Sequence, residues 1–176
     1  WAAEGARLVN RLWAIVGDKA SAIDHIGSTA VPGLLAKPVI DVQVTVADLA
    51  VADQLTETLA DGGFPRVPGI AGDHPKADPA TGSVDDGRWG KRLHGSADPG
   101  RPVNVHLRAA DSPGQSFAVD FRDWLRSDSA ARAEYAEIKR EALTSADGQF
   151  DRYVQAKEPW FDDAYRRVAA WKAAKS

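Results

Sequence analysis

One carboxylate in a run of β-branched residues constrains this chain more than any other feature. Residues 39–46 read VIDVQVTV, a strand by composition and by alternation. Ile40, Val42, Val44 and Val46 share one face at period two, while Val39, Asp41, Gln43 and Thr45 share the other. The first face is core. The second needs polar partners or an open cleft, because a carboxylate buried alone is costly. Ahead of it, residues 22–26 read as a short strand entering Gly27-Ser28. There a glycine lets the backbone turn and approach a ligand, and a serine adds a hydroxyl. Pro32, Gly33 and Pro38 keep residues 29–38 from becoming a long helix, so a loop with one helical turn is expected.

The rest of the chain arranges itself around that unit. Leu8, Val9, Leu12, Ile15 and Val16 fall at helical spacing over residues 2–16, and Asp48 starts a helix through Leu49, Val51, Leu55 and Leu59 that stops at Gly62-Gly63. Residues 61–100 hold nine of the fifteen Gly and five of the ten Pro, so regular structure there must be brief. Strands are expected at 63–67 and 88–94 only, inside a long mobile excursion of the lid or binding-loop kind. Residues 102–108, PVNVHLR, alternate again and set Asn104, His106 and Arg108 on a polar face that can meet that of Asp41.

From Ser112 onward the pattern is helical. One helix over 115–126 carries Phe117, Phe121, Trp124 and Leu125; a second, capped by Asp128 or Ser129, runs to Leu143 with Tyr135, Ile138 and Ala142 on one side. A third runs from 149 to 174, with Pro159 marking a kink or a fresh start. Trp89, Trp124, Trp160 and Trp171 read as core or interface rather than as stacking platforms for bases. The order α-β-β-α-β-β-β-α-α-α predicts one α+β domain over residues 1–176, with a small mixed sheet, flanking helices and a C-terminal helical group.

Composition excludes several classes. A net charge of −3 gives no general drive toward nucleic acid, and with no Cys there is neither a disulfide nor a thiol nucleophile. No apolar run approaches the roughly 20 residues of a membrane span and no signal-peptide pattern opens the chain, so the cytoplasm is the expected location. The sequence begins at Trp1 and contains no Met, which fits a domain excised from a longer chain. No G-x-x-x-x-G-K-[ST] occurs, so these residues are not expected to form a P-loop kinase.

The stretch HIGSTAVPGLLAKPVIDVQV resembles the signature of the GrpB-type family, a branch of the nucleotidyltransferase superfamily. The FRDWLR, AEYAEIKREA and YVQAKEPW segments resemble that family's later elements, so the likeness covers nearly the whole chain. It implies a nucleotidyltransferase-like fold, with a Gly-Ser turn followed about a dozen residues later by an acidic pair that binds a divalent metal and a nucleoside triphosphate. Residues 29–40 separate Ser28 from Asp41, as that pattern asks, but position 43 is Gln instead of a second acid. A similar domain follows the kinase domain in actinobacterial dephospho-CoA kinases, which implies an upstream kinase domain in the same chain.

The candidate site follows. Gly27, Ser28, Thr29, Lys37, Lys91, Arg92, His106 and Lys157 are candidates for contacts to a nucleotide or other phosphorylated small molecule, with Arg108 beside them. Asp41 reads either as the ligand of a single Mg²⁺, helped by Asp24 if that side chain turns inward, or as a hydrogen-bond partner of the 29–38 loop. His25, His94 and His106 would suit a transition metal together with Asp41, although a lone strand histidine is more often simply satisfied. Three readings remain open: an accessory domain that aids folding or regulation of an attached dephospho-CoA kinase in coenzyme A biosynthesis, a Mg²⁺-dependent nucleotidyltransferase acting on a small molecule or nucleotide, or a purely structural domain whose cleft is vestigial. The missing acid at position 43 leans toward the first.

Overall fold

A central strand carrying Asp41 organises the chain. The computed structural model describes residues 1–175. Its strands β1 (Ala20–Ile26), β2 (Ile40–Val46), β3 (Lys91–Gly95) and β4 (Val103–Ala109) form one mixed sheet in the order β1-β2-β4-β3. β1 pairs antiparallel with β2, β2 parallel with β4, and β3 antiparallel with β4. The parallel pair needs a crossover, supplied by α2 (Leu49–Gln54), α3 (Thr56–Asp61) and the long segment up to β3. Asp48 caps α2 by accepting from the amide of Val51 at 2.9 Å, and Leu55 divides α2 from α3 where one helix was expected.

Each face of the sheet has its own helices. Ile40, Val42, Val44 and Val46 pack with Val103, Val105 and Leu107 against α1 (Ala2–Val16), α2 and α3, around Leu8, Leu12, Leu55, Leu59 and Phe64. Val42, Val44, Val46 and Val105 are fully buried, as residues of central strands covered on both sides should be. On the other face lie α4 (Pro113–Ser127), α5 (Ser129–Ser145) and α6 (Phe150–Ala173), joined by an aromatic cluster of Phe121, Trp124, Tyr135 and Trp160. Tyr135 and Trp160 stack at 4.7 Å between ring centroids. Trp89 and Trp124 are also buried, and Trp171 is packed against the cluster.

Two expectations need correction. Residues 63–67 form no strand: they run along the free edge of β3 through one bridge, Arg66 to His94, because Pro65 and Pro68 remove donors from the ladder. Likewise α6 continues through Pro159; the carbonyl of exposed Gln155, which loses its helical partner, can bond water. Nor does the 61–100 excursion hang free, since Asp73 and Lys76 tie it to β4, β3 and α6.

Candidate functional site

The polar face of β2 and β4 opens into a cleft of about 450 Å³ beneath α4, α5 and α6. Parallel pairing sets Asp41 beside Asn104 and Gln43 beside His106. Asp41 Oδ1 accepts from Asn104 Nδ2 at 2.9 Å and from His106 Nε2 at 3.3 Å. Burial raises the Asp41 carboxyl, but the bonds from His106 and Asn104 and the charge of Arg108 outweigh it and hold the group below the usual carboxylate range. His106, kept neutral by burial against the pull of Asp41, donates from Nε2 and leaves a buried Nδ1 without a partner. The other oxygen of Asp41 faces the bend: Gly27 has φ 70 and ψ −169, and a Cβ built there would stand 2.6 Å from Oδ2. The expected approach of the glycine bend to the lone acid is therefore realised.

Gln43 explains itself once its neighbours are known. It is fully buried, its Oε1 accepts from Arg108 Nη1 at 2.7 Å, and its Nε2 donates to the carbonyl of Gln115 at 3.1 Å. An amide serves both an acceptor and a donor role there, whereas a carboxylate would confront the Gln115 carbonyl. Arg108 turns its remaining donors to Asp73, Nε to Oδ2 at 2.7 Å and Nη2 to Oδ1 at 3.0 Å. Against the effect of its burial, Asp73 is held well below the usual range by Arg108 and then by Lys91.

Above this face sit three lysines. Lys139 of α5 is 5% exposed; its Nζ donates to Ser28 Oγ at 2.8 Å and to the carbonyl of Leu35. Lys37 and Lys157 place their ammonium groups 4.0 and 4.1 Å from the centroid of the Tyr153 ring. Burial lowers Lys139 to about 8, with repulsion from Lys157 and Lys37 adding to it. Lys157 falls to about 8 by burial and then by repulsion from Lys37. Among the described residues no carboxylate lies within ion-pair distance of Lys139 or Lys157. Lys76 reaches the rim differently, bridging Glu158 at 2.5 Å and Asp162 at 2.9 Å.

Not every candidate from the sequence is gathered here. Gly27, Ser28, Lys37, Asp41, His106, Arg108 and Lys157 line the cleft. Thr29 is buried on the α1 side, where its hydroxyl meets His25 Nε2 at 2.9 Å; the helical turn after Ser28 swings it away from the cleft. Arg92 points to the α2 face and is engaged bidentately by Asp53, at 2.6 and 2.8 Å. Lys91 lies behind Asp73, which takes its ammonium at 2.5 Å. Asp24 is bound by Arg122 of α4 instead of reaching Asp41, and His94 is a core side chain bonded through Nδ1 to the Phe64 carbonyl. The strand histidines therefore do not converge. Lys139 escaped the sequence reading although it stands one helical turn after Tyr135, within the buried stripe Ala131, Tyr135, Lys139 and Ala142.

A two-ion phosphoryl-transfer centre needs several carboxylates around one space. The donor set does not fit it: Asp41 is the one cleft carboxylate left outside an ion pair with Lys or Arg, while Asp73 and Glu158 are taken by Arg108, Lys91 and Lys76. Among the described residues the group with metal-ligand spacing is His74, Glu158 and Asp162, and the ammonium of Lys76 already stands against two of its members.

Sheet, bend and roofing helices define an α+β domain with a lysine-rich cleft over the polar face of a mixed four-stranded sheet. Within that class the chain belongs to the GrpB family, whose model, described as GrpB protein, matches residues 1–167. The solved structure of the conserved protein GrpB from Enterococcus faecalis shares the fold, with a TM-score of 0.74 and 22% identity over 96% of this chain and 92% of that one. The dephospho-CoA kinase of Mycolicibacterium paratuberculosis is 50% identical over 181 residues, covering 97% of this chain and 44% of the kinase. That of Mycobacterium tuberculosis is 50% identical over 183 residues, 99% of this chain and 45% of the kinase. The UPF0157 protein YqkA of Bacillus subtilis is 27% identical over 166 residues, 94% of this chain and 44% of that protein. The chain thus spans less than half the length of the two kinases and of YqkA. Among the described residues no helix is long and apolar enough to cross a membrane.

Proposed function

We propose that this domain binds a phosphorylated small molecule, a nucleotide or a coenzyme A-type compound, and acts in the cytoplasm as an accessory domain of a dephospho-CoA kinase carried in the same chain. The observation that carries the reading is that Lys139, bonded to Ser28, and Lys157 line one cleft, with no carboxylate within ion-pair distance of either among the described residues. Buried ammonium groups that repel one another are stabilised by a shared anion, and a phosphoryl group offers several acceptors at once. The partly aromatic lining, with Phe117, Tyr153 and Phe161, supplies the apolar wall that a ligand body needs. The link to a kinase rests on the relatives' names and on the share of their length that this chain spans.

Gln43 weighs against a nucleotidyltransferase, since its amide is committed on both sides and position 106, beside it, is His. Calorimetric titration with ATP, CTP and dephospho-CoA tests the reading. Saturable binding that Lys139→Met or Lys157→Met weakens by about ten-fold or more supports it, as the loss of one charge-assisted contact would; no heat of binding with any of the three refutes it. Removing the domain from the full kinase should lower soluble yield or regulation while leaving the phosphotransfer chemistry in place.

A further inference from the structure

We infer that the cleft takes its phosphoryl ligand as a free polyanion, with lysine ammonium groups supplying the positive charge that a divalent ion would otherwise bring. The inference rests on the phosphoryl reading above and says how such a ligand is neutralised. Four observations lead to it. Asp41 Oδ1 is already taken by the Asn104 amide and His106 Nε2, and Oδ2 lies against the Gly27 bend. At the position two residues on, where a second acid would stand, Gln43 spends its amide on Gln115 and its oxygen on Arg108. His106 turns Nε2 to Asp41 and buries Nδ1, so neither nitrogen is presented as a ligand.

Finally, the cleft that Ser28 and Asp41 line holds two cations that no carboxylate among the described residues ion-pairs: Lys139 within hydrogen-bond distance of the serine, and Lys157 over the Tyr153 ring. Burial and mutual repulsion already weaken their hold on a proton. A further divalent charge would add to that repulsion, whereas a polyphosphate removes it. An ion needs carboxylate or other oxygen ligands at close range, and this cleft presents ammonium donors in their place.

Isothermal titration of the 176-residue chain with inorganic tripolyphosphate, in EDTA and then in excess Mg²⁺, decides the matter. Binding in EDTA that Mg²⁺ weakens several-fold is expected, because the ion competes with the lysines for the same oxygens. Asp41→Asn should bind at least as tightly in EDTA as the parent, since a negative charge leaves the neighbourhood. Lys157→Met should lose about ten-fold in affinity and Lys157→Arg should retain most of it, each checked for a native melting transition. Binding that requires Mg²⁺ and disappears in Asp41→Asn overturns the inference while leaving the phosphoryl reading in place. Binding in EDTA that is undiminished in Lys157→Met overturns it as well, and absence of binding under both conditions overturns both readings.

Discussion

Replacing Gly27 by alanine tests the contact on which the cleft is built. The residue has φ 70 and ψ −169, a region that is essentially restricted to glycine and costs a residue with a side chain about 1–3 kcal/mol. The added methyl also meets Asp41, with Oδ2 at 2.6 Å and the Cβ at 3.0 Å, and overpacking of that kind costs a further ~1–3 kcal/mol. Gly33 separates the two effects. Its φ is 77 but nothing stands within 4 Å of a Cβ built there, so Gly33→Ala carries the backbone penalty without the collision. For a chain of this length ~1 kcal/mol moves the melting temperature by roughly 2–4 °C. Gly27→Ala should therefore melt roughly 4–24 °C below the parent and clearly below Gly33→Ala, as followed by circular dichroism at a fixed scan rate. In an Asp41→Ala background most of the difference between the two glycine variants should vanish, the signature of a direct contact. Equal melting temperatures for Gly27→Ala and Gly33→Ala would refute the packing of the bend against the acid.

Other perturbations follow from the same geometry. Gln43→Glu places a carboxylate against the Gln115 carbonyl and gives Arg108 two acids to serve; urea unfolding should show a loss of about 2–4 kcal/mol, with no gain in Mg²⁺ affinity by titration calorimetry. Asp73→Ala strands Arg108, which is 6% exposed, and should cost about 3–5 kcal/mol. Because the folded-state carboxyl of Asp73 is held below its unfolded value, its contribution is present above the ordinary carboxylate range and lost as pH falls toward the folded value; acid titration of the parent and of Asp73→Ala should diverge in that sense. Lys139 and Lys157 give a slope of the same sign in a higher pH window. Their folded values of about 8 lie below the ordinary lysine value of 10.5, so the unfolded chain binds more protons between these limits and stability rises with pH across that window. Tripolyphosphate affinity should fall as pH rises through about 8, and Lys157→Arg should flatten that fall, as titration calorimetry at pH 7 and pH 9 would record.

Most of the sheet was legible because strand alternation depends only on neighbours in sequence. Asp41, Asn104, His106 and Arg108 were assigned to facing sides, and the parallel register brings them together. The loop between Gly62 and Gly90 was not legible in the same way: its bridge from Arg66 to His94 depends on which donors Pro65 and Pro68 leave available, and its position over the cleft depends on Asp73 and Lys76 finding partners far along the chain. Arg92 was misplaced for a related reason. Alternation set Lys91 and Arg92 on opposite faces, but nothing local said which face carried the cleft, and Asp53 of α2 claims Arg92 on the other side.

The lysines and Gln43 were hidden by a different cause, and they belong together. A charged residue in an amphipathic helix reads as solvated surface unless its turn is known to be buried, and Lys139 becomes visible only when Ala131, Tyr135 and Ala142 are seen to share its stripe. Once α5 and α6 deliver Lys139 and Lys157 to the cleft, extra positive charge on the sheet would be repelled. An amide at position 43, committed to Arg108 and to the first turn of α4, fits that balance better than an acid needing a metal of its own. The departure from the acidic pair and the lysines on the late helices are thus two sides of one electrostatic arrangement. Restoring the acid alone should destabilise the fold without bringing back a metal centre.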